Sequence, residues 1–274
     1  MGADGPMANA VVELFRLADL LNEPPSAPNL LSASATTDAN GLGSGLVLKA
    51  ADQNGLVPGP GPFLLRISAG ASTIDTTTGA APAIRSVSTV ITASAYASRT
   101  GSTRFYATPF TTLGIERASG LAGVSPTAAA VVAQMSAASA EVLQAFGFGA
   151  DTSINVFSTP PIIDANTVSL ADQQNVAAYR VAIETFAEVV EQAATALAIT
   201  TDAVMDAIKA DIKGDGLVGN ASSPSGIEQG VVDETNMVDT PYLTDKGRLP
   251  SADGSTNIEE LLDGEIAGVS APLA

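Results

Sequence analysis

The chain contains no cysteine, no histidine and no tryptophan among its 274 residues. Without cysteine and histidine it cannot build a Ser-His-Asp or Cys-His catalytic centre, a structural zinc site, an iron–sulfur cluster or a histidine-ligated haem. Because the chain has no thiols, its stability does not depend on the redox state of its compartment. The absence of cysteine therefore does not distinguish a cytoplasmic protein from an exported one. Aromatic residues make up only 4% of the chain, so stacking platforms for bases or sugars are scarce.

Positive charge is also scarce. Lysine and arginine number 12 against 29 aspartates and glutamates, which gives a net charge of −17. Nucleic-acid backbones and anionic membrane surfaces repel such a chain, so nucleic acid is excluded as a partner. The charge is uneven, because residues 1–124 carry 8 acidic and 7 basic residues whereas residues 125–274 carry 21 and 5. Two halves of different composition predict two domains.

No uninterrupted run of 18 apolar residues occurs, and the sequence therefore predicts no transmembrane helix. Residues 1–4 lack the basic and apolar regions of a signal peptide. Two origins stay open: an exported protein whose leader was removed and replaced by Met1, or a cytoplasmic protein that starts at this residue. Hydrophobic residues account for 46% of the chain, which is enough for a packed core in one large or two ordinary domains.

The first half has the pattern of β-structure. Polar residues lead into the stretch Asp38-Ala39-Asn40-Gly41, and apolar residues resume at Leu42. Asparagine and glycine adopt the positive φ of a tight turn, so a hairpin is predicted with arms over 30–37 and 42–49. Further strands are predicted over 7–17, 63–68, 87–96 and 104–108, with a short polar hairpin over 72–84. Strands at this spacing, separated by turns, are typical of a sandwich or barrel.

From about residue 109 the apolar residues follow a helical period. Helices are predicted over 110–122, 125–146, 169–200, 201–212 and 258–267, and a long polar loop over about 214–255. The two longest helices carry apolar residues every three or four positions, which predicts that they pack as antiparallel neighbours. The predicted fold class is α+β with two domains: an antiparallel β-sandwich over 1–108 and an acidic, mainly α-helical domain over 109–274.

Three segments of the first half follow one family pattern. Ala10-Val11-Val12 after a glycine, the turn from Thr37 to Gly41, and Gly61-Pro62-Phe63 before Gly70 occur in the order of that pattern. They resemble carboxypeptidase-regulatory-like and Cna-B-like modules, which are transthyretin-like β-sandwiches of bacterial secreted and surface proteins. The resemblance covers residues 5–70 and implies a non-catalytic spacer or interaction domain. Residues 106–113 are similar to the strand-to-helix junction of bacterial exported lipoproteins, which implies an extracellular, cell-surface or periplasmic location and a possible lipid anchor.

Calcium is the one cofactor that the sequence suggests. The stretch from Asp211 to Gly216 is similar to the start of an EF-hand or dockerin loop, in which alternate residues supply oxygen ligands. Asp211 and Asp215 are the candidate ligands. Lys213 at position 3 and Ser222 at position 12 depart from the pattern, because neither is the acidic residue expected there. The alternative is a glycine-terminated helix followed by an acidic turn.

The alanine-rich helices suggest a second kind of site. Four larger apolar side chains in them could border a cavity for a lipid or hydrocarbon: Met135, Phe146, Phe148 and Phe186. The alternative is a plain helical core. Glu184, Glu188 and Glu191 share one side of the longest helix; paired carboxylates can hydrolyse glycosides, but a solvated helix face is the expectation.

Three functions follow, in order of preference. The first is a non-enzymatic exported interaction or structural protein with a protein partner. The second is a carrier of an apolar small molecule among the C-terminal helices. The third is a carboxylate hydrolase.

Overall fold

The computed structural model describes residues 6–22, 29–49, 59–163, 167 and 169–216. These residues form antiparallel sheets and several helices, which confirms the α+β class. The described strands are β1 Met7–Ala8, β2 Val11–Arg16, β3 Ala35–Thr36, β4 Phe63–Ser68, β5 Ile74–Asp75 and β6 Ser86–Ile91. The described helices are α1 Leu17–Asn22, α2 Ala93–Ser98, α3 Pro109–Leu121, α4 Ala128–Phe146, α5 Leu170–Leu197 and α6 Thr201–Asp215. The predicted helix over 258–267, and the polar loop beyond residue 216, lie outside the described residues.

Four strands form an antiparallel sheet in the order β3-β2-β4-β6, and β1 pairs with β5 separately. In the central pair Leu14 lies opposite Leu65, and Leu65 lies opposite Thr89 of β6. Because side chains alternate along a strand, each face of the sheet has its own set. One face carries Val12, Leu14, Phe63, Leu65, Ile67, Val87 and Ile91, and the other carries Phe15, Leu64 and Val90. Both sets are apolar and mostly buried, so both faces need a covering layer.

The structure confirms the hairpin predicted around residues 38–41. Thr37 pairs with Gly43 across the turn, and the Asp38 carboxylate accepts hydrogen bonds from the main-chain N–H groups of Asn40 and Leu42 at 2.8 and 2.9 Å. Gly41 has a φ of +71°, in the left-handed region that favours glycine. A side chain would collide there with Pro6, because an added Cβ would lie 2.5 Å from the proline ring. Glycine is therefore required at this position by both backbone conformation and space.

The strand predicted over 87–96 is wrong in its second half. The strand ends at Ile91, and the Thr92 hydroxyl accepts a hydrogen bond from the N–H of Ala95 at 3.1 Å. This is an N-cap, so the chain turns into α2 instead of continuing the sheet. The strand predicted over 104–108 contributes a single bridge to the sheet edge. The polar hairpin over 72–84 contributes β5, whose partner is β1.

Helix α3 lies at the centre of the helical layer, because it packs against β6, α4 and α6. The prediction that the two longest helices, α4 and α5, pack along each other is wrong. Their contact includes the Phe146 and Phe186 rings, which meet edge to face with centroids 4.9 Å apart. The N-cap of α4 is Thr127, two residues after the predicted Ser125. The predicted cap of α5 is confirmed, since the Ser169 hydroxyl accepts from the N–H of residue 172.

Strands and helices contribute to common hydrophobic clusters. The largest joins strand and loop residues with all four long helices, and its strand-side members are Met7, Ala10, Ile84 and Val87. A second cluster fills the space between one sheet face and helices α3 and α4: Phe15, Leu64, Val90, Ile115, Ala118, Val131, Met135 and Ala138. A third covers the opposite sheet face with residues of the hairpin. The hydrophobic core thus draws on residues from both sides of residue 108.

An arginine of α3 holds the C-terminal end of α6. Arg117 is only 7% exposed, and its guanidinium lies 3.5, 3.4 and 3.2 Å from the main-chain oxygens of Ile212, Lys213 and Gly214. Its Nε also donates to the carboxylate of Glu141 on α4. The last carbonyls of a helix have no partner within the helix and carry partial negative charge, so a guanidinium is a suitable cap. One side chain therefore links three helices.

Gly120 provides the close approach that this contact needs. A Cβ at this position would overlap the main-chain oxygen of Lys213 on α6. We expect Gly120→Ala to push α3 and α6 apart and to destabilise the protein by about 1–3 kcal/mol, as overpacking does. The measurement is urea unfolding followed by circular dichroism. The matched control is Gly214→Ala on α6, where an added Cβ meets nothing within 4 Å and the change should stabilise by about 0.5–1 kcal/mol. Equal effects of both changes would contradict the close packing.

Candidate functional site: a cleft on one face of the sheet

The structure contains a cleft of about 1070 Å³ on the sheet face that α3 and α4 do not cover. One wall is the hairpin, over residues 38–48, and a second wall is the segment that follows α2, over residues 99–109. Pro161, Ile162 and two residues of α5 complete the lining. This volume slightly exceeds the usual range for small-molecule sites, about 300–1,000 Å³. The cleft is therefore large enough for a sizeable ligand.

The base of the cleft is aliphatic. Leu14 of β2, Leu65 and Ile67 of β4, and Val87 and Ile91 of β6 line it. They meet at one surface because alternate residues of neighbouring strands point to the same face of a sheet. An aliphatic base favours the apolar part of a ligand.

The hairpin wall exposes apolar side chains to solvent. Leu46 is 40% exposed and Val47 is 62% exposed, and both line the cleft. Single exposed apolar residues are ordinary; here two adjacent ones stand above a base whose strand residues Leu14, Leu65 and Ile91 are each 6% exposed, so the accessible apolar surface is chiefly that of the hairpin wall. Such surfaces mark binding sites more often than the rest of a protein exterior does.

Charged lining residues are mainly arginines. Arg99, Arg104 and Arg180 line the cleft, against one acidic residue, Asp38, whose carboxylate is already hydrogen-bonded within the hairpin turn. The guanidinium of Arg99 lies over the ring of Tyr96, 3.5 Å from its centroid. Arg104 is exposed, and no ion pair joins it to another residue of the described ranges. Arg180 is paired with Glu184, so the positive charge of the cleft in this acidic protein comes from Arg99 and Arg104.

Arg180 is held at the cleft by a buried ion pair. Its Nε donates to the carboxylate of Glu184 at 2.6 Å, and its Nη1 lies 3.2 Å from the main-chain oxygen of Pro161. The expectation that the glutamates of α5 are solvated is wrong for two of them, because Glu184 is 4% and Glu188 is 7% exposed. In the sequence, this ion pair is indicated by the spacing of four residues between Arg180 and Glu184, because residues four apart lie on one helix face.

A buried tyrosine anchors the end of the 99–109 wall. The Tyr179 hydroxyl lies 2.7 Å from the hydroxyl of Thr108 and 3.4 Å from the main-chain oxygen of Val156. Burial raises the pKa of Tyr179 above its ordinary value, because the phenolate would lose its hydration; the hydrogen bond from Thr108 opposes this shift. The wall is thus joined to α5 by a buried hydrogen bond between two hydroxyl groups.

The four predicted apolar-site residues lie away from this cleft, and the structure divides them between two clusters. Phe146 and Phe186 are in ring contact and belong to the central cluster, against which the half-buried Phe148 also packs. Met135 belongs to the cluster between α4 and the sheet. A ligand between Phe146 and Phe186 would have to separate their rings. An apolar site at these residues stays a prediction.

The candidate calcium ligands lie near the end of α6. Asp211 and Asp215 are one turn apart on this helix, which Gly216 ends with a φ of +80°. Position 217 and the following positions of the predicted loop lie outside the described residues. No cluster of three or more potential metal-ligating side chains occurs in the part of the chain that the structure describes. Calcium binding stays a prediction.

One described helix has the length and composition of a membrane span. Helix α4 has 19 residues with a mean hydropathy of 1.2 over the most apolar window, and 39% of that window is buried. Length and composition are weak evidence, since a core helix also has these properties. The buried side of α4, with Val131, Met135, Ala138 and Val142, packs in the manner of a core helix.

The raised pKa of Tyr179 predicts a pH-dependent stability. The unfolded chain loses the phenol proton near pH 10 while the folded protein keeps it, so this stabilisation is complete below pH 10 and is lost as pH rises above it. We expect the unfolding free energy to fall above pH 10 by up to about 1.4 kcal/mol per pH unit from this group. Tyr179→Phe should remove this slope, whereas Tyr96→Phe, at a half-buried tyrosine of the cleft, should retain it. Urea unfolding between pH 9 and 11 measures both, and parallel slopes for the two variants would contradict the assignment.

The calcium prediction is tested by thermal unfolding. A site at Asp211 and Asp215 should raise stability by about 2.7 kcal/mol when calcium is present at 100 times its Kd. Asp211→Asn with Asp215→Asn should abolish that rise, and Asp202→Asn, at the other end of α6, serves as the control. A melting temperature that millimolar calcium leaves unchanged would exclude the site.

In comparisons with protein-family models, curated proteins and solved structures, no match to this chain was found. The resemblance of residues 5–70 to transthyretin-like modules accordingly stays a prediction from the sequence.

Proposed function

We propose that this protein is a non-enzymatic, exported bacterial interaction protein that binds a partner through the cleft. The observation that carries the proposal is the combination of exposed apolar side chains and arginines around one open cleft. Partner-binding surfaces commonly join an apolar centre to a polar or charged rim, and arginine is enriched in them. The hairpin wall supplies the apolar part, and Arg99 and Arg104 supply the charged part.

The proposal includes a division of the chain into two parts. Residues 1–108 would correspond to a transthyretin-like β-sandwich and residues 109–274 to an acidic helical domain. The antiparallel strand order β3-β2-β4-β6 and the hairpin at 38–41 support this correspondence. The clusters common to strands and helices require that the two parts unfold together.

Export to the cell surface or periplasm is supported by the resemblance of residues 5–70 to secreted modules. A lipid anchor is compatible with this location. Protease treatment of intact cells and of spheroplasts, followed by detection of the protein, tests it. Protection from protease in both preparations would contradict export.

A second candidate function is transport of an apolar ligand. The observation that favours it is the aliphatic base of the cleft, formed by Leu14, Leu65 and Ile91. A carrier purified under native conditions should retain a lipid or hydrocarbon, detected as added mass in native mass spectrometry and in an organic extract. A ligand-free mass, together with no uptake of added dodecane or dodecanoate, would exclude this function.

Val47 provides the test of the interaction proposal. A carboxylate at this position of the cleft wall would place a charge inside an apolar interface, so we expect Val47→Asp to weaken partner retention by roughly tenfold or more. The measurement is recovery of cross-linked partners by the tagged protein from its native cells. Val124→Asp is the matched control, because Val124 is 99% exposed and lies outside the cleft. Retention that neither variant changes would contradict binding through this cleft.

A further inference from the structure

A tight turn between Arg99 and Arg104 forms part of the cleft wall. The N–H of Thr103 donates to the main-chain oxygen of Thr100 at 3.2 Å, and the N–H of Thr100 donates to the Thr103 hydroxyl at 2.8 Å. A turn closed in this way holds its first and last Cα atoms within about 7 Å of each other. The two arginines that flank it are therefore neighbours, and both are exposed to solvent.

These two arginines carry many hydrogen-bond donors and meet few acceptors. A guanidinium has five N–H donors and no acceptor. The side chain of Arg104 makes no hydrogen bond or ion pair to any residue in the described ranges. Arg99 uses one donor, because its Nη1 donates to the main-chain oxygen of Tyr96, and its guanidinium is held over the Tyr96 ring. A ligand group that only accepts hydrogen bonds, such as a carboxylate or a phosphate, complements this pair.

Hydroxyl groups of the turn add to the donors. Thr100 Oγ1 lies 3.0 Å from Ser102 Oγ and 3.2 Å from Thr103 Oγ1. Each hydroxyl carries one proton, so these three groups have three protons, and their two mutual contacts use two of them. The third proton is available to an acceptor outside the protein. Ser102 and Thr103 line the cleft together with both arginines, so an anion bound there can accept from hydroxyl and guanidinium groups.

The hairpin wall of the same cleft offers apolar surface. Leu46 and Val47 are 40% and 62% exposed, and both line the cleft. Ile67 and Phe105 are half-buried and line it as well. An aliphatic chain that covers these side chains is stabilised in proportion to the apolar area removed from water. A ligand that suits both walls therefore has an anionic end and an aliphatic end.

From the donor-rich turn and the apolar hairpin wall we infer that the cleft binds a single-chain amphiphile whose head group is an oxyanion, either a carboxylate or a phosphate. The head group lies between Arg99 and Arg104, and the aliphatic chain lies along Leu46 and Val47. The inference goes beyond the interaction function and rests on the carrier function, because it names the chemistry of the carried ligand. The arginines distinguish this ligand from a neutral hydrocarbon, which gains nothing from their charge.

The experiment is isothermal titration calorimetry of the full chain with decanoate, with 1-decanol as a neutral probe of equal chain length. We expect decanoate to bind about tenfold or more tightly than 1-decanol, since a hydrogen bond to a charged group contributes at least that factor. Octanoate should bind roughly tenfold more weakly than decanoate, because each CH₂ removed from water contributes up to about fourfold. Decyl phosphate is titrated in parallel, and the tighter anionic probe identifies the head group.

Substitution of Arg104 tests the head-group site with little risk to the fold, because this side chain has no partner in the described part of the chain. Arg104→Gln should weaken decanoate binding about tenfold and leave 1-decanol binding unchanged. Arg85→Gln is the matched control, because Arg85 is exposed and lies outside the cleft. Val47→Ser should weaken both probes alike, since the aliphatic chain contacts this residue in either case. Equal losses in the two arginine variants would overturn the placement of the head group.

The outcomes separate the inference from the functions proposed above. If decanoate and 1-decanol bind equally, the carrier function stands and the anionic head group is wrong. If acetate or inorganic phosphate binds as tightly as decanoate, the turn holds a free anion and the amphiphile is wrong. If no probe binds, both the inference and the carrier function are contradicted, and the interaction function is decided separately by the effect of Val47→Asp on partner retention.

Discussion

The edge of the sheet is closed by side chains of the helix that follows it, and this contact orients the rest of the molecule. The main-chain N–H of Ser88 on β6 donates to the Thr112 hydroxyl at 2.8 Å, and its main-chain oxygen accepts from the Thr111 hydroxyl at 2.6 Å. An open edge strand offers unpaired groups to any other strand, so covering them prevents unwanted pairing. The same contacts fix where α3 begins, and Thr108 at its N-cap also reaches Tyr179 on α5.

Once α3 is positioned, the orientation of α6 depends on Arg117. A buried guanidinium is costly unless its donors are satisfied. Here the carboxylate of Glu141 pairs the charge and the carbonyls at the end of α6 accept from Nη1, so a shift of α6 along its axis would leave donors of a buried guanidinium without acceptors. Gly120 permits the short separation at which these contacts form. Polar contacts therefore specify how these alanine-rich helices pack, which their small side chains alone would leave poorly determined.

The sequence predicted those features whose causes are local. The Asp38 turn is stabilised within five residues, and the cap of α5 depends on Ser169 and the residue three positions later. The predicted secondary structure was wrong where a short sequence pattern is compatible with two structures. Thr92 is a β-branched residue after a strand, and it can either extend that strand or cap a helix. Ser125 before a proline has the composition of a helix start, but its φ of +53° is not that of an N-cap, and Thr127 takes the role.

Local sequence patterns did not predict the burial of polar residues or the cleft. Glu184 and Glu188 lie on what is, by composition, the polar side of α5, and their burial depends on packing in three dimensions. The cleft brings together residues from β2, the hairpin, the segment after α2 and α5, which are far apart in sequence. No periodicity within any one of these segments indicates that they meet. The arginine content of the first half was visible, but its concentration around one surface was not.

Arg99 and Arg104 place positive charge on one wall of the cleft in a protein whose net charge is −17. Charges interact strongly only within about a Debye length, roughly 8–10 Å at physiological ionic strength. Most of the negative charge belongs to residues 125–274, whereas Arg99 and Arg104 belong to the nearly neutral first 124 residues. Within the described residues the acidic side chain that lines the cleft is Asp38, whereas Arg104 is exposed and forms no ion pair there, so an anionic group at the 99–109 wall would meet these arginines first.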